Sequence, residues 1–246
     1  MTKTLILIPS RMAATRLPGK PLLKINNLSI ISHVFKRAEE TNIGEVVVAT
    51  DNEEILKDVL KNGGRAILTN KNHKTGTDRI YEAYEKLNIK NVDYILNLQG
   101  DEPDINKDDI INLNNLMISQ NAEMGTLAAN IEDDKMFNNR NVVKVITDKK
   151  LVENNFPKAL NFTRDSFLVD RQNIYHHIGI YSYKINTLKK FISLGQTINE
   201  KENKLEQLRA LDNKLKINVA LAKFSPIGVD TEEDYLAIKK IMEYKI

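Results

Sequence analysis

Residues 5–8 (LILI) form an uninterrupted apolar run that stops at Pro9, the pattern of a short strand covered on both faces. Ile30, Ile31, Val34, Phe35 and Ala38 then recur at helical spacing, which predicts a helix over 30–38. The alternation repeats. Residues 45–50 (EVVVAT) read as a second strand, and 52–62 as a helix capped by Asp51, with Glu54 three residues on and Gly63 and Gly64 at its end. Residues 65–69 make a third strand, 77–87 a helix, 94–98 (YILNL) a fourth strand and 107–119 another helix. Strands joined to helices by short turns predict a parallel, doubly wound α/β sheet of the Rossmann-like kind. The second half departs from that rhythm. Residues 125–131, 142–147 and 175–183 are strand-like without long helices between them, so a smaller antiparallel excursion is expected there. Helices are read at 186–194, 200–212 and 232–244, the last with Thr231 and Asp234 as a capping box, and a late strand at 217–224.

No Pro/Gly/Ser linker, charge block or repeat divides the 246 residues, so the expectation is one domain spanning 1–246. The chain has no cysteine, which excludes a disulfide framework, a thiolate nucleophile and thiolate-bound metal. Lys and Arg total 36 against 33 Asp and Glu, a net charge of only +3, and no basic stripe is interleaved with aromatics; nucleic acid is not an expected partner. No apolar run approaches a membrane span and residues 1–10 lack a signal-peptide core, so no membrane association and a cytoplasmic location are expected. The chain carries nine arginines, and Asn is abundant throughout, a pattern consistent with a genome-wide bias in composition. Scarce arginines are therefore the more informative cations.

In open α/β sheets ligands bind beyond the carboxyl ends of the strands. After the first strand, Arg11, Arg16 and Lys20 fall on one loop with Pro18, Gly19 and Pro21, a design suited to polyphosphate: guanidinium forks grip oxygens and the ammonium adds a compact charge. The loop matches neither the P-loop pattern nor a dinucleotide fingerprint. After the third strand, Thr75, Gly76 and Arg79 stand in HKTGTDR, where small residues admit a ring or phosphate close to the backbone, although Thr-Gly-Thr-Asp also reads as a plain helix cap. After the fourth strand, Gln99-Gly100-Asp101-Glu102-Pro103 places two acids where a divalent cation could sit. Asp230, before the last helix, reads by position as that helix's cap. His176 and His177 alternate faces, so at most one can enter a given pocket, and no third histidine has the spacing for zinc. The residues point to a Mg²⁺-dependent enzyme acting on a nucleoside triphosphate.

The segments RMAATRLPGKPL, HKTGTDR, QGDEP, HIGIY, LEQLR and GVDTEED, in this order from residue 8 to residue 234, resemble those of the 3-deoxy-manno-octulosonate (Kdo) cytidylyltransferases. The resemblance implies a nucleotidyltransferase that makes CMP-Kdo and pyrophosphate from CTP and Kdo for lipopolysaccharide biosynthesis, working as a homodimer. It implies that Arg11, Arg16 and Lys20 hold the triphosphate and that Thr75, Gly76 and Arg79 frame the cytidine. Asp101 and Asp230 become the Mg²⁺ ligands and, with Lys20, the catalytic residues. Gln99, Arg164, His177, Tyr181, Glu206 and Gln207 line the sugar-acid site. Three departures from the family pattern stand out: Ala14 in place of a serine, residues 165–169 in place of a stretch bearing proline and aromatics, and Asn203 where an acid is usual. They leave a related acceptor, such as 8-amino-3,8-dideoxy-Kdo, as an alternative; a non-catalytic nucleotide-binding homologue is a second, against which the intact Lys20, Asp101 and Asp230 argue.

Overall fold

The computed structural model describes residues 2–13, 16–165 and 171–244; Ala14 and residues 166–169 of the departures above lie outside them. The chain runs β1 (Thr4–Ser10), a 3-10 turn (Lys20–Leu22), β2 (Lys24–Ile25), β3 (Leu28–Ser29), α1 (Ile30–Glu39), β4 (Gly44–Thr50), α2 (Glu53–Lys61), β5 (Ala66–Leu68), α3 (Gly76–Leu87), β6 (Tyr94–Asn97) and α4 (Lys107–Ser119). It continues through β7 (Met124–Ala129), α5 (Asp134–Asn138), β8 (Lys144–Thr147), β9 (Ala159–Thr163), β10 (Ile174–Lys184), α6 (Ile185–Ser193), α7 (Ile198–Asn203), α8 (Leu208–Asp212), β11 (Ile217–Leu221) and α9 (Glu232–Tyr244). It divides into two compact units, Met1–Ile110 with Pro226–Ile246, and Ile111–Ser225.

In the first unit β5, β4, β1 and β6 form a parallel sheet in that order, with β1 flanked on both edges: Ile6 faces Val46 on one side and Leu96 on the other. Leu5, Ile6, Leu7 and Ile8 are fully buried, as expected of an unbroken apolar run in a sheet covered on both faces. Ser29 caps α1 by accepting the Ser32 N–H, and the helix buries Ile30, Ile31, Val34, Phe35 and Ala38. The cap of α2 is Asn52, whose Oδ1 accepts the amides of Glu54 and Ile55, and not Asp51. Asp51 is drawn away to an ion pair with Arg79.

The last segment of the chain returns to this unit. Val229 and Ile238 bury against Ile25 and Ile30, with Leu17, Tyr235 and Met242 packed around them. Tyr235 donates its hydroxyl to the Lys24 carbonyl (2.7 Å), fastening α9 to the β2–β3 hairpin. Gly100 is required by close approach: a Cβ there would lie 2.9 Å from the Pro9 carbonyl oxygen and 3.1 Å from Ile31. Gly100→Ala is therefore expected to destabilise the protein by about 1–3 kcal/mol, the usual cost of overpacking, as a lowered urea midpoint with unchanged m-value.

In the second unit β7 pairs in parallel with β11 and antiparallel with β10, which pairs antiparallel with β8, and β8 with β9. The expected antiparallel excursion is thus present. Strand β9 and helix α5 go beyond the sequence reading, because both are short and β9 exposes two of its five residues. The helix expected over 200–212 is two helices: Lys204 adopts a left-handed conformation (φ 53°) and stops α7 before Leu205. Neither Gly nor Pro marks that break in the sequence.

Candidate active site

Within the first unit, the end of β1, the loops before α3 and after β6 and the segment before α9 surround a cleft of about 330 Å³. The loop after β1 contributes Arg11, Arg16 and Lys20 to its wall, the loop before α3 contributes His73, Thr75 and Gly76, and the loop after β6 contributes Gln99 and Asp101. Lys20 is held in place by its surroundings. Gly19, in a left-handed conformation (φ 72°), turns the chain into the 3-10 turn, and buried Pro21 fixes the next residue.

Asp101 and Asp230 converge on one ammonium. Lys20 Nζ lies 2.7 Å from Asp101 Oδ2 and 3.2 Å from Asp230 Oδ1, while Arg16 Nη2 reaches Asp230 Oδ2 at 2.9 Å. The backbone explains the convergence: the Val229 N–H donates to the Asp101 carbonyl (2.9 Å), so the chain's last segment is tied beside the β6 loop. The reading of Asp230 as a helix cap is corrected. Thr231 caps α9, exchanging bonds with Asp234 (Thr231 N to Oδ2, 2.9 Å; Asp234 N to Thr231 Oγ1, 3.2 Å), which leaves the Asp230 carboxylate free to face the cations.

The two acids of QGDEP separate in role. Asp101 faces the cleft, whereas Glu102 lies off its wall with Oε2 buried and unpartnered among the described residues. Burial, with the neighbouring Asp101 charge, pushes the Glu102 carboxyl up to about 8, so at neutral pH it is mostly a neutral acid.

Thr75 caps α3 by accepting the Asp78 N–H (3.1 Å), and its hydroxyl donates to the Asp78 carboxylate. Arg79 borders the cleft, but its guanidinium is buried and bonded to Asp51 (2.8 Å), Thr69 Oγ1 (2.6 Å) and the Asn70 carbonyl (3.4 Å). It therefore holds the loop before α3 as much as it borders the cavity.

In the second unit a β-bulge gathers the side chains of HIGIY. The register of β10 against β7 slips between Ile178 and Tyr181, and the carbonyls of Ile178 and Ile180 both turn to Thr126 Oγ1 (3.1 and 2.7 Å). His177 and Tyr181 consequently lie with ring centroids 5.5 Å apart, where four residues of regular strand would span about 13 Å. His177 Nε2 meets the same Thr126 hydroxyl at 3.0 Å, and Phe162 packs edge-on at 4.9 Å. Burial, with a smaller effect of His176, lowers the His177 imidazole to about 3, so it is neutral at physiological pH. His176 points elsewhere, to Ser225 Oγ (2.9 Å), in keeping with alternation. The Tyr181 hydroxyl is buried beside Thr126.

Glu206 and Gln207 occupy the turn between α7 and α8, anchored by Arg209. That guanidinium is buried, makes two bonds to Glu200 (2.9 and 2.6 Å), stacks over Phe191 and lies 3.6 Å from Glu206. Arg164 follows β9, its Nη1 donating to the carbonyls of Arg140 and Asn141 (3.3 and 3.2 Å). Asn203, the departure in α7, bonds Asn199 on the exposed side of its own helix.

A cytidylyltransferase family profile matches residues 5–217. The 3-deoxy-manno-octulosonate cytidylyltransferase of Thermodesulfovibrio yellowstonii is 43% identical over 97% of this chain and 98% of its own, and that of Rhodopseudomonas palustris 43% identical over 99% of each. The chain belongs to the 3-deoxy-manno-octulosonate cytidylyltransferase family. A solved structure of CMP:2-keto-3-deoxy-manno-octonic acid synthetase complexed with CTP superposes over the full length of both chains with a TM-score of 0.90 at 32% identity. A UDP-glucose pyrophosphorylase at 14% identity and a TM-score of 0.74 shares the fold alone. The expected α/β nucleotidyltransferase fold and family are thus both found. Membership also gives the six sequence segments a single explanation, since four of them supply the first unit's cleft and two the bulge and turn of the second. What the sequence reading missed are the partners that hold these segments: Asp51 on Arg79, Glu82 on His73 and Glu200 on Arg209. Each is an acid on an ordinary polar helix face or loop, with no local signal of its partner.

Proposed function

We propose that this protein transfers CMP from CTP to Kdo, giving CMP-Kdo and pyrophosphate. The observation that carries the reading is the convergence of Asp101 and Asp230 on Lys20, beside Arg16, in a chain of this family. In the reaction, the C2 hydroxyl oxygen of Kdo bonds to the α-phosphorus as the bond to the departing pyrophosphate breaks, and the hydroxyl proton passes to solvent. Negative charge then concentrates on oxygens already crowded with it, so positioning and charge stabilisation do most of the work. Arg11, Arg16 and Lys20 neutralise the triphosphate and the leaving pyrophosphate; Thr75, Gly76 and Arg79 border the cytidine; Gln99, His177, Tyr181, Glu206 and Gln207 serve the sugar acid, with Arg164 assigned to its carboxylate.

The donor set fits Mg²⁺. Two hard carboxylates face a cationic cleft suited to phosphate, and Mg²⁺ takes one or two carboxylates with phosphate oxygens and water. Asp101 and Asp230 would hold it, and when bound it would supply charge stabilisation at the phosphate and lower the pKa of a bound hydroxyl. Lys20, now between the two carboxylates, would then turn its ammonium toward phosphate. The reading places the enzyme in the cytoplasm as a homodimer, ahead of lipopolysaccharide assembly; among the described residues no helix is long and apolar enough to cross a membrane.

Purified protein with CTP, Kdo and Mg²⁺ is expected to release pyrophosphate, with UTP and ATP serving poorly and chelation of the metal stopping the reaction. An assay with Kdo and its 8-amino analogue side by side checks the acceptor as well. Absence of pyrophosphate with every eight-carbon ulosonic acid tried would reject the proposal.

A further inference from the structure

The loop between β5 and α3 owes its shape to one carboxylate. Glu82, two turns into α3, accepts the Asn70 N–H on Oε2 (2.9 Å) and meets His73 Nε2 with the same oxygen, while Lys86 Nζ lies 2.6 Å from Oε1. Lys86 in turn donates to the Leu68 carbonyl (3.1 Å). Residues 68, 70 and 73 are therefore tied to α3 through Glu82 and its partner, next to the bonds Arg79 makes to Thr69 and Asn70. The stretch so held continues directly into His73, Lys74, Thr75 and Gly76, all on the cleft wall. We propose that Glu82 is a positioning residue for nucleotide recognition, which through His73 and the Asn70 amide holds the 70–76 loop in the shape that receives the cytosine ring. The assignment of cytosine rests on the function proposed above; the clasp itself does not.

The electrostatics suit a permanent clasp. Burial acts to raise the Glu82 carboxyl, but hydrogen bonds from Lys86, the Asn70 amide and His73, with the Lys86 charge, outweigh it and hold the group down to about 2. Glu82 stays an ionised acceptor throughout the neutral range. The contact with Nε2 also fixes the orientation of the His73 ring. Loss of Glu82 therefore frees both the ring and the loop that carries it.

The test uses the full chain with Glu82→Ala, Glu82→Gln, His73→Ala and the double variant Glu82→Ala/His73→Ala. The CTP KM of Glu82→Ala is expected to rise about tenfold, a typical worth for one positioned charged contact, with kcat and the Kdo KM within about twofold. Glu82→Gln keeps an acceptor oxygen and is expected to recover part of the loss. The double variant should be no worse than the poorer single one, because the two residues act as a unit. In ligand-free protein, amide exchange over 70–76 is expected to quicken in Glu82→Ala while the β1 and β6 amides keep their protection. An unchanged CTP KM, additive losses, or unaltered exchange over 70–76 would overturn the proposal. Should Glu82→Ala not fold, the same readouts on Glu82→Gln decide. Wild-type protein inert toward CTP would overturn the functional reading and the role in cytosine binding with it, whereas unaltered exchange would remove the clasp alone.

Discussion

Asp101→Ala is expected to lower pyrophosphate release by at least ~10²–10³-fold while the fold persists. The substitution removes one of the two carboxylates proposed to hold Mg²⁺ and leaves Lys20 facing Asp230 alone. Loss of a single preorganised charge-stabilising group costs about that much in related acyl-transfer chemistry, and a metal ligand at phosphate should cost no less. Stability should barely change. The carboxylate is about one third exposed, and the contact that ties the chain's last segment to the β6 loop uses the Asp101 backbone carbonyl, which alanine retains. Pyrophosphate release and thermal unfolding measured on the same preparation separate the two effects; near-normal turnover would place the reacting phosphate elsewhere.

Glu200→Ala is expected to destabilise the protein by about 3–5 kcal/mol, because it leaves the Arg209 guanidinium buried without its bidentate partner. Urea unfolding measures this directly. Replacing both partners, as Glu200→Leu with Arg209→Met, is expected to recover most of the stability, since the loss comes from an uncompensated charge. Turnover should not recover with it, because Arg209 also lies against Glu206 in the turn proposed to meet the sugar acid. The pH dependence has a definite sign. Burial acts to raise the Glu200 carboxyl, but bonds from Arg209 and Gln196, the Arg209 charge and the Thr197 amide together hold it below the ordinary carboxylate value. Its contribution is therefore complete above the unfolded-state pKa, near 4.3 for glutamate, and is lost as pH falls through the lower folded-state value. Wild-type stability should decline with acidification over that window more steeply than that of the double variant.

The parallel sheet of the first unit was legible because its strands are unbroken apolar runs and its helices carry one buried stripe, as in 5–8 and 30–38. Cations on the loop after β1 were legible for a different reason: arginine is rare in this chain. Asp230 was legible only in part: the Thr231 and Asp234 capping box read from the sequence is formed and already supplies the cap, but nothing local shows that the residue before it faces a cleft. The split at Lys204 was hidden because a lysine there adopts the left-handed conformation usually given to glycine or asparagine. Abundant asparagine, read as compositional bias, has structural uses as well. Asn26, Asn27, Asn42, Asn88, Asn91, Asn121, Asn154 and Asn173 all have positive φ, and Asn88 ends α3 in that way. An asparagine directly after a helical run is the signal that would have located such turns.

Asp230 is delivered to the cleft by a stretch that lies more than two hundred residues after β1 and is synthesised long after it. A nascent chain can complete β1, α3 and the β6 loop on the ribosome yet still lack the second acid and the α9 packing that seats it. Closing that contact across so long a separation makes it a late, entropically demanding step of folding. Translation halted before Val229 would consequently leave a cationic loop facing Asp101 alone, because no product that stops short of residue 230 carries both carboxylates.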